Sequence, residues 1–149
     1  MSIDSEMDLL LSMPLFSAVQ PARCKLVAMS SDRLEFARGD VVLAEGEPSV
    51  SVLVIVSGRV RVTRALADRS VEIAELGEGA VIGETGVISG RARNSTVTAT
   101  EPTTALRIDG RVFVELLKQV PELCFAMVRE LAVRIEQTNE RLSYVATDL

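Results

Sequence analysis

Hydrophobic and polar positions change rhythm twice along this chain. Over residues 5–13, Met7, Leu10 and Leu11 recur at helical spacing until Pro14 stops the pattern, and Pro21 opens a second short helical piece over 22–30. From Leu34 to Asp109 the period shortens, and glycines punctuate brief runs of β-branched residues. This texture predicts strands over 34–37, 41–45, 51–57, 59–66, 70–76, 79–82, 95–101 and 103–109. Within it, "GRVRVTRALADRSVEIAEL" reads as a hairpin: Val60 and Val62 alternate with arginines, "ADRS" turns, and Val71 and Ile73 alternate with acids. Helical spacing then returns. "GRVFVELLKQV" predicts a short helix ending before Pro121, and no proline or glycine interrupts Glu122 to Val145.

These elements predict one domain over residues 1–149, with helices in 1–32, a β block in 33–109 and closing helices in 110–149. The class is α+β, mainly β. So many short, closely spaced strands suggest an antiparallel eight-stranded jelly-roll barrel, flanked by N-terminal helices and one long C-terminal helix. No internal repeat, low-complexity tract or linker divides it.

The last helix carries a further pattern. Cys124, Val128, Leu131, Ile135, Thr138, Leu142 and Val145 follow one another at alternating steps of four and three. That is a heptad seam, and a two-helix coiled coil would use it. The expectation is that the first half lies on its own barrel and the second half meets a partner chain, giving a homodimer. Thr138 is the polar member of the seam, where it either sets register or meets something polar.

Composition narrows the chemistry. Histidine is absent, so nucleophile–histidine catalysis has no base, and imidazole-based metal sites have no ligand. No catalytic and no metal-binding residue is expected. Cys24 and Cys124 form neither a CxxC nor a disulfide framework; reduced cytoplasmic thiols, buried as small hydrophobes, are the expectation. A net charge of -5 and a pI near 4.8 argue against a nucleic-acid partner. No uncharged apolar run is long enough to span a membrane, and the acidic N-terminus has the wrong flank for a secretory signal.

One stretch resists a structural reading alone. "VIGETGVISGRARNSTV", residues 81–97, sets three glycines, one acid and two arginines between β-branched runs. It predicts a strand, then Gly83, then a single helical turn from Glu84, then an exposed loop to Arg93. Unpaired amides at a helix start suit a phosphate oxygen, and Gly83 and Gly86 allow close backbone approach. Arg93 supplies a planar cationic fork. Glu84 would repel a phosphate, so its task lies one group away, accepting from a hydroxyl. Arg91 and Arg93 against Glu84 leave one net positive charge, which suits a monoanion, and no GxxxxGK[ST] lysine is present for a triphosphate. Taken singly, Glu84 is only an acid at a helix start and Arg93 a solvated loop charge.

"GETGVISGRARNSTV" resembles the phosphate-binding cassette of cyclic nucleotide-binding domains, as in regulatory subunits of cAMP-dependent protein kinase and the catabolite activator group. Gly83, Glu84, Gly86 and Val87, then Arg93, Ser95, Thr96 and Val97, match its pattern. The resemblance extends over nearly the whole chain, through "LLLSMPLFSAV", "FARGDVVLAEGEPSVSVLVIVSGRVRV" and "LAVRIEQTNERLSYV". It implies that Glu84 takes the ribose 2′-hydroxyl and Arg93 the cyclic phosphate, with the backbone of Gly83, Thr85 and Gly86 and the residues Asn94 and Ser95 completing the cradle. It further implies that Thr138 and Asn139 meet the base. Val81 and Ile82, Ser51 and Asn94 depart from the family's usual residues.

The resulting expectation is a non-catalytic cyclic nucleotide sensor, with cAMP or else cGMP as ligand and no further cofactor. It would signal to a downstream effector that the sequence does not identify, through movement of the C-terminal helix. The alternative is a domain of the same fold that has lost ligand binding and serves as a dimerisation module.

Overall fold

The computed structural model describes residues 3–147. The chain runs α1 (Ile3–Ser12), a 3-10 turn (Pro14–Phe16), α2 (Pro21–Ser30), β1 (Asp32–Phe36), β2 (Val41–Leu43), β3 (Ser51–Ser57) and β4 (Val60–Leu66). It continues through β5 (Arg69–Leu76), β6 (Val81–Ile82), α3 (Glu84–Ser89), β7 (Thr96–Ala99), β8 (Thr103–Asp109), α4 (Gly110–Gln119) and α5 (Pro121–Thr147). The prolines act as the pattern predicts. Pro21 and Pro121 each occupy the first position of a helix, where their missing N–H costs nothing. Asp109 caps α4 by accepting from the Arg111 amide at 2.8 Å.

All eight predicted strands form, and every pairing is antiparallel. They do not close into a barrel. They form two four-stranded sheets, in the orders β1-β8-β3-β6 and β2-β7-β4-β5, which is a jelly roll laid out as an open sandwich. The reason is in the edges: β6 has two residues and β2 three, too few to carry a ladder from one sheet to the other.

The β3 sequence SVLVIVS explains the layering. Its first five residues are all buried, which requires cover on both faces. Val52 and Val54 turn outward against the helices, in a cluster with Phe16, Phe113 and Leu123. Leu53 and Ile55 turn inward against the second sheet, in a cluster with Val60, Val62, Ile73 and Val97. The helical layer therefore sits on one sheet only. The second half of α5 runs on past that layer to pack against β5 of the other sheet.

At about 1.5 Å per residue the 27-residue α5 is roughly 40 Å long. Leu123 and Met127 anchor its first half in the helical core, and Leu142 reaches the inter-sheet cluster. The heptad seam does not act as one face. Cys124 and Val128 are exposed, so the expectation of a buried Cys124 is corrected: Leu123, one residue earlier, takes the inward position. Leu131, Ile135, Thr138 and Leu142 line a cavity of this chain's own. A 3.5-residue row drifts about 20° per heptad around a straight 3.6-residue helix, and here it follows the border between the inward and outward faces. The Val145 side chain lies outside the described residues.

Candidate functional site

β6 ends at Ile82, and Gly83 turns the chain at φ 82°, a left-handed conformation that a side chain would strain. A Cβ there would also meet the Arg93 guanidinium at 2.6 Å. Glu84 then opens α3. Gly86 has a different constraint: a Cβ would lie 1.9 Å from Ser49 Oγ and 2.9 Å from the Arg91 carbonyl. The 91–95 loop thus passes directly over the α3 backbone. It is held there by the preceding β2–β3 connection, through Arg93 N to Glu47 O at 2.8 Å and Gly46 N to Arg93 O at 2.8 Å.

These constraints deliver Arg93 inward, only 7% exposed. Its Nη1 donates to Gly83 O and its Nη2 to Ser51 O, both at 2.8 Å. Among the described residues no carboxylate pairs with it. Burial is the largest influence on the guanidinium and lowers its pKa; Glu47 and Glu84 act in the opposite direction. A buried cation held only by carbonyl dipoles is costly in isolation and is stabilised by an anion placed beside it.

Glu84 is 3% exposed. Its Oε1 accepts from Arg134 Nη1 of α5 at 2.6 Å, while Arg134 Nη2 reaches Glu130 at 2.7 Å, one turn back on the same helix. The other oxygen, Oε2, is buried and has no hydrogen-bond partner among the described residues. Desolvation raises the Glu84 pKa, and the Arg134 charge lowers it in part.

All nine residues singled out from the sequence, Gly83, Glu84, Thr85, Gly86, Arg93, Asn94, Ser95, Thr138 and Asn139, line one cavity of about 500 Å³. Its floor is the inner face of the second sheet, with Val62, Ile73 and Val97; one end is the α3 turn and its loop, and α5 supplies the remaining wall. Glu84, Gly86 and Arg93 are buried, Gly83, Ser95 and Thr138 are half-buried, and Thr85, Asn94 and Asn139 are exposed. Arg91 is exposed and lines nothing here.

Two residues escaped sequence reasoning. Arg134 stands four positions before Thr138, on the same helix face, and this spacing was the available signal. Arg64 on β4 also lines the cavity.

The arrangement provides a desolvated cation, a carboxylate oxygen free to accept, and apolar walls that suit a flat ring. Among the described residues no group of three His, Cys, Asp or Glu could hold a metal ion, and no helix is long and apolar enough to cross a membrane.

Residues 33–120 match the family model for the cyclic nucleotide-binding domain. The chain is 28% identical over 130 residues to a CRP-like cAMP-activated global transcriptional regulator of Mycobacterium tuberculosis, covering 87% of this chain and 58% of that protein. It therefore spans less than two thirds of that relative's length. Among solved structures, the sensor domain of the transcriptional regulator DNR from Pseudomonas aeruginosa superposes with a TM-score of 0.78 at 21% identity, covering 93% of each chain. A mutant of a cAMP-binding acyltransferase from Mycobacterium smegmatis gives 0.73 at 25% identity, covering 85% of this chain and 40% of the other.

Proposed function

We propose that this chain, which belongs to the cyclic nucleotide-binding domain family, takes a cyclic purine nucleotide, cAMP in the first place, into the cavity between α3 and α5 as a regulatory ligand and performs no catalysis of its own. The observation that carries this reading is the pairing of two unmet demands in one cavity: among the described residues, Arg93 is buried with no carboxylate in ion-pair contact, and Glu84 Oε2 is buried without a donor. A cyclic phosphate meets the first and a ribose hydroxyl the second. One sugar separates those groups, so a single ligand answers both.

The phosphate lies at Arg93, with the backbone of Gly83, Thr85 and Gly86 and the residues Asn94 and Ser95 around it. The base lies along the apolar floor under Thr138 and Asn139. A threonine hydroxyl can accept from the 6-amino group of adenine, which guanine replaces with a carbonyl. The relative described as cAMP-activated supports cAMP as the ligand. Because Arg134 joins the hydroxyl-binding carboxylate to α5, ligand binding bears directly on that helix. The signal leaves through α5 to the extent that the ligand prefers one of its positions. An exposed apolar row on the first half of α5 supports a homodimer formed there.

Calorimetric titration of nucleotide-free protein with cAMP and cGMP tests the reading. Ligand at about 100 times its dissociation constant adds roughly 2.7 kcal/mol, which raises the melting midpoint of a domain this size by about 5–10 °C. No heat and no shift with either nucleotide at millimolar concentration would leave the fold as a dimerisation module.

A further inference from the structure

We infer that Arg64 reads the purine edge: it donates to the N7 and six-position acceptors of the base and so favours guanine, opposing the adenine preference at Thr138. This inference rests on the nucleotide reading of the cavity.

Strand β4 has an outward and an inward row. The outward arginines are matched, Arg59 just before the strand to Glu75 at 3.0 Å and Arg61 within it to Glu72 at 3.1 Å, and Glu72 also receives Arg141 of α5 at 3.4 Å. The inward row begins Val60, Val62, both buried in the inter-sheet cluster. Its third member is Arg64, where the period-two pattern calls for another apolar side chain. Arg64 is half-buried and lines the cavity. Three arginines do so. Arg93 is held by two carbonyls and Arg134 by two carboxylates. The Arg64 side chain has no hydrogen bond or ion pair among the described residues. A half-buried cation facing a cavity gains from acceptors placed there as water is displaced; among the described residues none reaches Arg64, which leaves its donors to the occupant of the cavity.

Two features select the base over the phosphate. Leu142 shares a cluster with Val62 and Ile73, so the β4 segment carrying Arg64 belongs to the part of the cavity closed by the 138–142 turn of α5. Leu142 is about 12 Å along that helix from Arg134, which marks the hydroxyl site. The neighbouring surface is apolar, suited to a ring face. A guanidinium fork fits the paired O6 and N7 acceptors of guanine; adenine offers N7 alone beside an amino donor.

The test is titration of wild type, Arg64→Leu and Arg64→Lys with cGMP and cAMP, with the melting midpoint of each ligand-free protein measured alongside. Arg64→Leu restores the apolar row, so the protein is expected to melt no lower than wild type. Its cGMP affinity should fall about tenfold or more, and its cAMP affinity less than threefold. Arg64→Lys keeps the charge without the fork and should recover only part of the cGMP loss. Equal losses for both nucleotides would assign Arg64 to the phosphate and overturn the inference. An unchanged cGMP-to-cAMP ratio in a folded variant would overturn it as well. Wild-type protein that binds neither nucleotide would overturn the nucleotide reading, and this inference with it.

Discussion

Arg134 Nη1 lies 2.6 Å from Glu84 Oε1, so the start of α3 and the middle of α5 are joined by a charge-assisted bond inside the cavity. Neither residue is free to move without the other: the Glu84 carboxylate is 4% exposed and the Arg134 side chain 18%. A ligand hydroxyl that occupies the remaining Glu84 oxygen therefore sets the carboxylate that holds the long helix. Arg134→Ala should free the C-terminal half of α5 and lower cAMP affinity by about tenfold, as expected for losing one charge-assisted hydrogen bond. Arg129→Ala is the control. Arg129 lies on the outer side of the same helix, over the Phe125 ring at 5.1 Å. Amide exchange across α5, read with and without cAMP, should quicken beyond residue 134 in the first variant and stay unchanged in the second.

The two arginines of the 91–95 loop should behave differently. Arg93 is 7% exposed and held on two carbonyls, whereas Arg91 is exposed. Removing one side of a desolvated charge contact costs about 2–5 kcal/mol, roughly 30-fold to several thousand-fold in affinity. A solvated loop charge is worth under about 1 kcal/mol. Arg93→Ala should therefore abolish binding in the micromolar range while Arg91→Ala binds within about fivefold of wild type. Equal effects would place the phosphate elsewhere.

That the candidate site could be read from the sequence follows from its locality. Gly83 to Ser95 form one continuous cassette, so seven of the nine candidate residues stand together in one stretch, although Ser49 and Ser51 help to place Gly86 and Arg93. The strands were legible for a similar reason, because glycine turns and apolar runs mark their ends. What escaped depends on distant partners. Barrel closure is decided by which edge strands can pair, and two- and three-residue edges such as β6 and β2 look in sequence like any other strand ends. Arg134 is one charge among several on a polar helix, and its meaning comes from a carboxylate fifty residues earlier. The α5 seam was a reading of period without phase. The same apolar spacing serves a partner helix or the chain's own sheet, and a single residue, about 100° of rotation, separates buried Leu123 from exposed Cys124.

Glu84 gives a pH dependence whose sign differs between folding and binding. Burial raises its pKa above the ordinary carboxylate value, with Arg134 opposing. The folded protein thus holds this proton to higher pH than the unfolded chain does. The Glu84 contribution to stability is full below the unfolded pKa and is lost as pH rises through the folded one. Binding should run the other way, because the ionised carboxylate accepts from both Arg134 and a ligand hydroxyl. Urea unfolding and cAMP titration at half-unit steps from pH 4 to pH 7 should show stability falling and affinity rising across that window, relative to Glu84→Gln. A Glu84→Gln variant with the same two profiles as wild type would show that another group titrates.

The outer face of α5 carries the last expectation. Phe125 and Val128 are 61% and 56% exposed, and exposed Ala132 completes the row at steps of three and four. It lies apart from the inward row of Leu123, Met127 and Leu131 that fixes the helix to its own core. Apolar side chains of this size gain about 1.5–3 kcal/mol each on full burial, and a row of this spacing fits a parallel copy of the same helix. The protein is therefore expected to sediment as a dimer at micromolar concentration. Val128→Glu would set like charges against each other near the two-fold axis and should give a monomer. Val128 does not line the cavity, so the monomer should still bind cAMP, within about tenfold of wild type if each cavity is complete in one chain. A wild-type monomer at all concentrations would remove the dimer from the signalling scheme, whereas a Val128→Glu monomer that no longer binds cAMP would mean that the second copy helps to form the site.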